Sequence, residues 1–485
     1  MSLHFIVLTR LRILFITIFS VSGLMCSSGN YNTLMVKAEK SLYVDNQPLE
    51  ASRILIPYVN KRNQDQLLFM MEAGYMLHIA KDYQKSNKIL MAADEKADAM
   101  YKSASKEVAA FITNKTGKDY MGEDYERVLL NMIIGINYMM LNNFESAKVE
   151  FKKVNNKLEY IKDKSGKQFQ LNLMALYLSA ISHAASDEYE YAYVDLKRIH
   201  QIQPGIPAVG LKLLALSAEL GYDDDYAKWK KLYNLQMNPG QMKNDKNSTE
   251  LVVIYEAGLS PRKISRGRLL DDQELNAMFR AAVVTAIVTS GSSARAVSNQ
   301  LVLSTVATAE HPVPKYIKQN YEIVSARLNL MSQGKLYTSV ELRQMNDVED
   351  TVLTNFENHY QKIKQEMITR LATKVVATLV SKAVAEQVAR QAGGRSYGGL
   401  ASLLVGTVAG VGMGAALFSS EKPDLRCWHS IPASYHAGSV SLPPGKYDGI
   451  ITYFNRNGSK AYDESIGEVT VLKDKPQILL FRTYK

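Results

Sequence analysis

The side chains best equipped for chemistry are Cys427 and His429, two residues apart late in the chain. On an extended segment such a pair shares one face, so an imidazole could take the thiol proton and leave a nucleophile. Three neighbours argue for another use of the segment. Asp424, Arg426 and Trp428 resemble a structural latch, with an ion pair or a cation–π contact joining a helical part to a β part. The latch is the reading adopted, and no catalytic residue is expected. The eight histidines include no His-Glu-x-x-His arrangement, and the two cysteines form no zinc-type pair, so no metal is expected. His78 and His183 fall within helical stripes, where packing or a groove-facing position suits them better than ligation. Residues 393–399 lack the lysine and spacing of a phosphate loop, and Gly291-Ser292-Ser293 lacks the Gly-x-Ser-x-Gly frame. No cofactor is expected.

Composition sets the scale of what positions these groups. A chain of 485 residues with 46% apolar and 22% charged side chains has material for several packed cores. The formal charge of +10 comes without a dense Lys/Arg cluster, which argues against a nucleic-acid partner.

The N-terminal residues read positive, then apolar, then small: Arg10 and Arg12, residues 13–19, and residues 21–25 ending at Cys26. That order is an export signal, and the apolar stretch is too short for a comfortable membrane span. Leu24-Met25-Cys26 resembles the lipobox of bacterial lipoproteins, with Met25 where a small residue is usual. The resemblance implies lipidation at Cys26 and removal of a signal peptide, residues 1–25. Ser27 in place of an aspartate resembles outer-membrane sorting, so the expected location is the periplasmic face of that membrane. Residues 26–33 are polar and read as a tether. With Cys26 lipidated, Cys427 has no partner for a disulfide.

Residues 34–237 carry a helical pattern that repeats. Gly74, Ser86, Leu90 and Ala93 form a frame that returns as Gly135, Ala147, Phe151 and Val154, then as Ala180, Ala192, Leu196 and Ile199, with Pro204 closing. The offsets resemble the tetratricopeptide repeat, although the frames are more widely spaced than that family's 34 residues. The resemblance implies an α-solenoid whose first helices line a groove. Its inner face would carry Met71, Tyr75, His78, Met132, Ile136, Met139, Tyr177 and Ile181, and thioethers and phenols suit a surface that takes an envelope protein partner.

Residues 238–249 read as a polar linker, and residues 250–485 as an α+β domain. Residues 250–255 form an apolar β-branched strand, residues 346–418 long helices, and residues 437–485 four alternating strands expected to make a small antiparallel sheet. Within the helices, residues 400–418 are uncharged, with Gly406, Gly410 and Gly414 on one face, a pattern that suits either burial or membrane insertion with oligomerisation. The expected class is therefore mainly α, a tetratricopeptide-like solenoid followed by an α+β domain ending in a small antiparallel sheet. Glu250 to Lys263, Arg426-x-Trp428-x-x-Ile431-Pro432 and Leu442-Pro443-Pro444-Gly445 look like a family of uncharacterised bacterial envelope lipoproteins with helical repeats in front. That resemblance implies a scaffold or adaptor in an envelope assembly, with the thiol chemistry of Cys427 as the less favoured alternative.

Overall fold

The computed structural model describes residues 28–104, 119–165, 172–234, 248–268, 311–354 except 312, and 423–484 except 474, with isolated positions at 271–284 and 356–369. Cys26 and the glycine-rich residues 400–418 lie outside the described residues, as does most of the linker. The architecture is α+β. Among the described residues ten α-helices come first: α1 (Ser28–Glu39), α2 (Pro48–Val59), α3 (Gln66–Ile79), α4 (Tyr83–Ala104), α5 (Asp124–Met140), α6 (Phe144–Ser165), α7 (Leu173–Ala184), α8 (Tyr189–Ile202), α9 (Pro207–Glu219) and α10 (Asp223–Leu232). Each packs on the next, and α3/α4, α5/α6, α7/α8 and α9/α10 form hairpins.

The hairpins close alike. Lys81, Asn142, Asp187 and Gly221 each adopt positive φ just past the first helix. The following N–H then reaches back five residues, as in Asp82 to Leu77 and Asn143 to Tyr138, satisfying a carbonyl the helix end leaves open. Gly74 and Gly135 let the two helices of a pair touch. A Cβ at Gly74 would sit 2.5 Å from Leu90, and one at Gly135 2.5 Å from Phe151.

The first helices differ from the second. In α3 every residue from Leu67 to His78 is buried, and α7 is buried from Leu173 to Ser182, whereas α8 buries only Ala192, Tyr193, Leu196 and Ile199. A helix apolar on all sides needs cover on all sides. The β elements supply it. One mixed sheet has the order β10-β1-β7-β6, with β1 (Thr249–Ala257), β6 (Arg343–Asp347), β7 (Ser434–Leu442) and β10 (Gln477–Thr483). A second, antiparallel sheet has the order β5-β4-β8-β9, with β4 (Ile323–Ser332), β5 (Lys335–Glu341), β8 (Gly445–Asn455) and β9 (Lys460–Val471). A short ribbon pairs β2 (Arg262–Ile264) with β3 (Lys315–Ile317). Strand β1 is buried on both faces: Val252 and Ile254 join the core of the helices, while Leu251, Val253 and Tyr255 join Leu328, Leu330, Ile451 and Tyr453 of the second sheet. The layers are thus helices, sheet, sheet.

Three expectations need correction. Residues 28–33 are not a tether but the start of α1, because Tyr31, Met35 and Ala38 form a stripe that buries against the helices. The four terminal strands do not make one antiparallel sheet. Strands β7 and β10 flank β1, with β10 parallel to it, and β8 and β9 belong to the second sheet. Residues 346 and 347 end β6, and the helical turns begin at Val348. Among the described residues no helix is long and apolar enough to cross a membrane.

Candidate functional site

Residues 423–433 run without regular structure between the first helices and the mixed sheet, and polar contacts concentrate on this strap. An irregular segment in a core must place its backbone donors, and two glutamates receive them. Trp428 N–H donates to Glu126 Oε1 at 2.6 Å, and His429 N–H to Glu72 Oε1 at 2.6 Å. Ser430 gives Glu72 Oε2 both its N–H (3.3 Å) and its hydroxyl (2.5 Å). Tyr31 completes the donors to Glu72, while Glu126 also accepts from Tyr120, Tyr125 and the N–H of Glu123, whose helix it caps. Both carboxyls are fully buried. Burial pushes Glu72 up to about 7, against His429 and Ser430, which pull it down, and burial likewise raises Glu126.

Around these glutamates lies a ring of charge. Arg426 holds Asp424 with two nitrogens, at 2.8 and 2.9 Å, and reaches Asp65 on the helical side at 2.9 Å, with its guanidinium 5.3 Å from the Tyr120 ring. Burial works against the charge on Asp424, but Arg426 outweighs it and holds that carboxyl below its usual range; at Asp65 burial prevails and the carboxyl is raised. Lys263 pairs with Glu123 and donates to Arg426 O at 3.1 Å. His429 Nδ1 lies 3.1 Å from Glu39, which also pairs with Arg262. Burial opposes a charge on His429, yet Cys427, Glu39 and Glu72 overcome it and push the imidazole up to about 10. Asp424, Arg426 and Trp428 thus sit together at the helix–sheet junction, with the Trp428 ring edge-on to Tyr75 at 5.9 Å between centroids.

The groove residues meet a different fate. Met71, Tyr75, His78, Met132, Ile136, Met139, Tyr177 and Ile181 do line the inner face of the first helices, and none exceeds 1% exposure. The chain's own β elements cover them. Tyr75 OH donates to Glu256 Oε2 at 2.5 Å, and His78 Nε2 lies 3.2 Å from Glu256 Oε1. Met132 accepts from the Asn346 amide at 3.4 Å, and Tyr177 meets Ser439 at 2.8 Å. An open partner groove on this face is therefore overturned: the face is occupied in cis.

Sequence reasoning missed Glu72, Glu126 and Glu256. Glu72 is the lone charge inside the apolar turn sequence of α3, and Glu256 shares strand parity with Val252 and Ile254. A charge inside a run that must be buried was the available signal. Cys427 is fully buried, so no substrate reaches its sulfur in this conformation. Among the described residues no three metal-ligating side chains cluster. The geometry fixes a segment in place and leaves neither glutamate an open side.

The shifted groups make stability depend on pH in a definite direction. Glu72 and His429 both bind a proton more tightly folded than unfolded, so their contribution is complete at low pH. It is lost as pH rises, from about 4.5 to about 7 for Glu72 and from about 6.5 to about 10 for His429. Depressed carboxyls such as Asp424, Glu39 and Glu256 act oppositely and lose their contribution in acid. Thermal unfolding followed by circular dichroism should show a maximum near pH 5 and a steady fall in Tm toward pH 9. A flat profile across that span would remove the buried acid–imidazole cluster from the account.

No family model, no curated protein and no solved structure matches the chain.

Proposed function

We propose that the chain is a lipid-anchored scaffold or adaptor of the cell envelope, moored at Cys26 on the periplasmic face of the outer membrane, that holds protein partners and makes or breaks no bonds. The observation carrying this reading is the use to which the polar groups of the strap are put: each buried glutamate is taken up by four donors, and the thiol lies at 0% exposure. The helix pairs are of tetratricopeptide type. Gly74 against Leu90 and Gly135 against Phe151 occupy matching places, and the left-handed turns at Lys81, Asn142 and Asp187 recur with them. The export-type order of residues 10–26 and the Arg426-x-Trp428 element support the envelope assignment.

Because the concave face is filled, partners meet the outer faces. On α8, Tyr191 and Val194 are more than half exposed, beside a shallow open hollow of about 470 Å3 lined by Tyr193, Lys197, Arg198 and Tyr222. Labelled palmitate tests the mooring. Wild-type chain should carry label in the membrane fraction, and Cys26→Ala should be unlabelled and soluble. Unlabelled wild-type chain sinks the proposal, and an alanine variant that resists carbonate extraction transfers the anchor to residues 400–418.

A further inference from the structure

Lipid on Cys26 and a helix that begins at Ser28 leave only two residues between the membrane and the fold, a reach of about 7 Å. The helix cannot swing away. Tyr31 in its first turn is 1% exposed and packs on Phe69 of α3 at 5.2 Å between ring centroids. The far end of α2 comes to the same corner, because Tyr58 stacks on that same Phe69 at 5.1 Å and Lys61 Nζ lies 4.7 Å from the Tyr58 ring. Ser28 and Lys61 thus mark one corner of the molecule.

Both helices pack on α3 through Phe69, so their opposite sides face out together. Among the described residues nothing covers those sides: Val36 is 66% exposed and Ile56 37%. The exposed charges on and just beyond the two helices are Lys37, Lys40, Arg53, Lys61 and Arg62 against Asp45 and Glu50, with Glu50 paired to Arg53. Apolar groups set among cations suit an anionic lipid surface, whose phosphates meet the cations while the apolar groups reach the acyl boundary.

We infer that the outer face of the α1–α2 hairpin lies on an anionic lipid surface, with the Ser28–Lys61 corner at the headgroups beside the lipidated Cys26. The inference rests on the mooring proposed above and adds the side of the fold that meets the bilayer. Attraction of a cation to such a surface fades over about 8 Å at physiological salt. The two-residue reach holds the corner inside that range, whereas the eight-residue tether suggested by the sequence would span up to about 26 Å and leave it free to sit outside. The helices pack each on the next, which carries α8, with its exposed Tyr191 and Val194, away from the bilayer and toward partners.

The test uses the lipidated full chain in vesicles of phosphatidylethanolamine and phosphatidylglycerol, and in vesicles of phosphatidylcholine. Nitroxides on Val36→Cys, Arg62→Cys and Tyr191→Cys report access to a water-soluble nickel chelate; lipid caps Cys26 and Cys427 is buried, so only the introduced thiol is labelled. In the anionic vesicles the labels at 36 and 62 should be several-fold less accessible than in detergent, and the label at 191 unchanged. Each cation favours contact about fivefold, so Lys37→Glu with Lys40→Glu should weaken docking by about 25-fold or more and expose the label at 36. Palmitate incorporation and the membrane fraction should not change in that variant. Labels at 36 and 62 that stay open in a palmitate-bearing chain overturn the inference and leave the mooring standing. Shielding at 62 without shielding at 36, or shielding indifferent to lipid charge and to the reversals, also overturns it. A chain without palmitate removes the mooring and the inference together.

Discussion

Trp428→Ala should lower the free energy of unfolding by about 3–5 kcal/mol, the range for emptying a large aromatic site in a packed core. The indole is fully buried, edge-on to Tyr75 of α3, in the same core as Ile431 of the strap, Tyr435 and Val252 of the β layer and Met71 and Met132 of the helices. The backbone bonds to Glu72 and Glu126 survive the substitution because they come from N–H groups, so the loss is one of packing. Its distribution is the sharper test. A core shared by helices and sheet predicts that far-ultraviolet and near-ultraviolet circular dichroism report one transition in urea, moved together by the substitution. If the helical signal kept its midpoint while the aromatic signal moved, the helices and the β layer would be separate folding units and the shared core would be wrong. Trp428→Phe should recover more than half of the loss.

That shared core is where sequence reading and structure part company, and particular residues show why. The helix hairpins were legible because Gly74, Leu90, Gly135 and Phe151 mark a close approach that recurs at a fixed offset. The terminal strands were legible from alternation and β1 from its β-branched run, but their partners were not. Strand β1 pairs with β10 more than two hundred positions away, and nothing local distinguishes that choice from pairing with β8. Residues 28–33 looked like a tether because they are small and polar; the stripe of Tyr31, Met35 and Ala38 gains its order only from the helices it packs on. Asp424 and Arg426 were legible as a charged pair, whereas Tyr120, the ring that receives the guanidinium, was not. The groove was legible as a face and misread as open, since residue identity reports what a surface is made of and not what rests on it. The all-round apolarity of α3 was the clue, because a groove helix with a solvent side would carry more than the one charge at Glu72.

Arg426→Ala should cost about 3–5 kcal/mol at pH 7, since removing one member of a buried ion group strands the others. Asp65 and Asp424 are nearly buried, at 4% and 9% side-chain exposure, and Asp424 lies below its usual range because the guanidinium holds it there. Without Arg426, Asp424 keeps only the weaker pull of Lys263 against its burial and its carboxyl rises, and Asp65, already raised by burial, rises further. The sign follows: a folded state that binds protons more tightly gains on the unfolded state as pH falls. The gap between variant and wild type should therefore narrow as pH drops from 7 to 4, where the variant can protonate Asp65 and Asp424 while wild type begins to lose its ion pair. Arg426→Ala combined with Asp65→Asn and Asp424→Asn should be more stable at pH 7 than Arg426→Ala alone, because it leaves no unpaired charge inside. A gap that stays constant between pH 7 and 4 would mean that water reaches the two carboxyls and that Arg426 does not neutralise them. The strap would then be held by Glu72, Glu126, the packing of Trp428 and its contacts to Lys263 and Glu39.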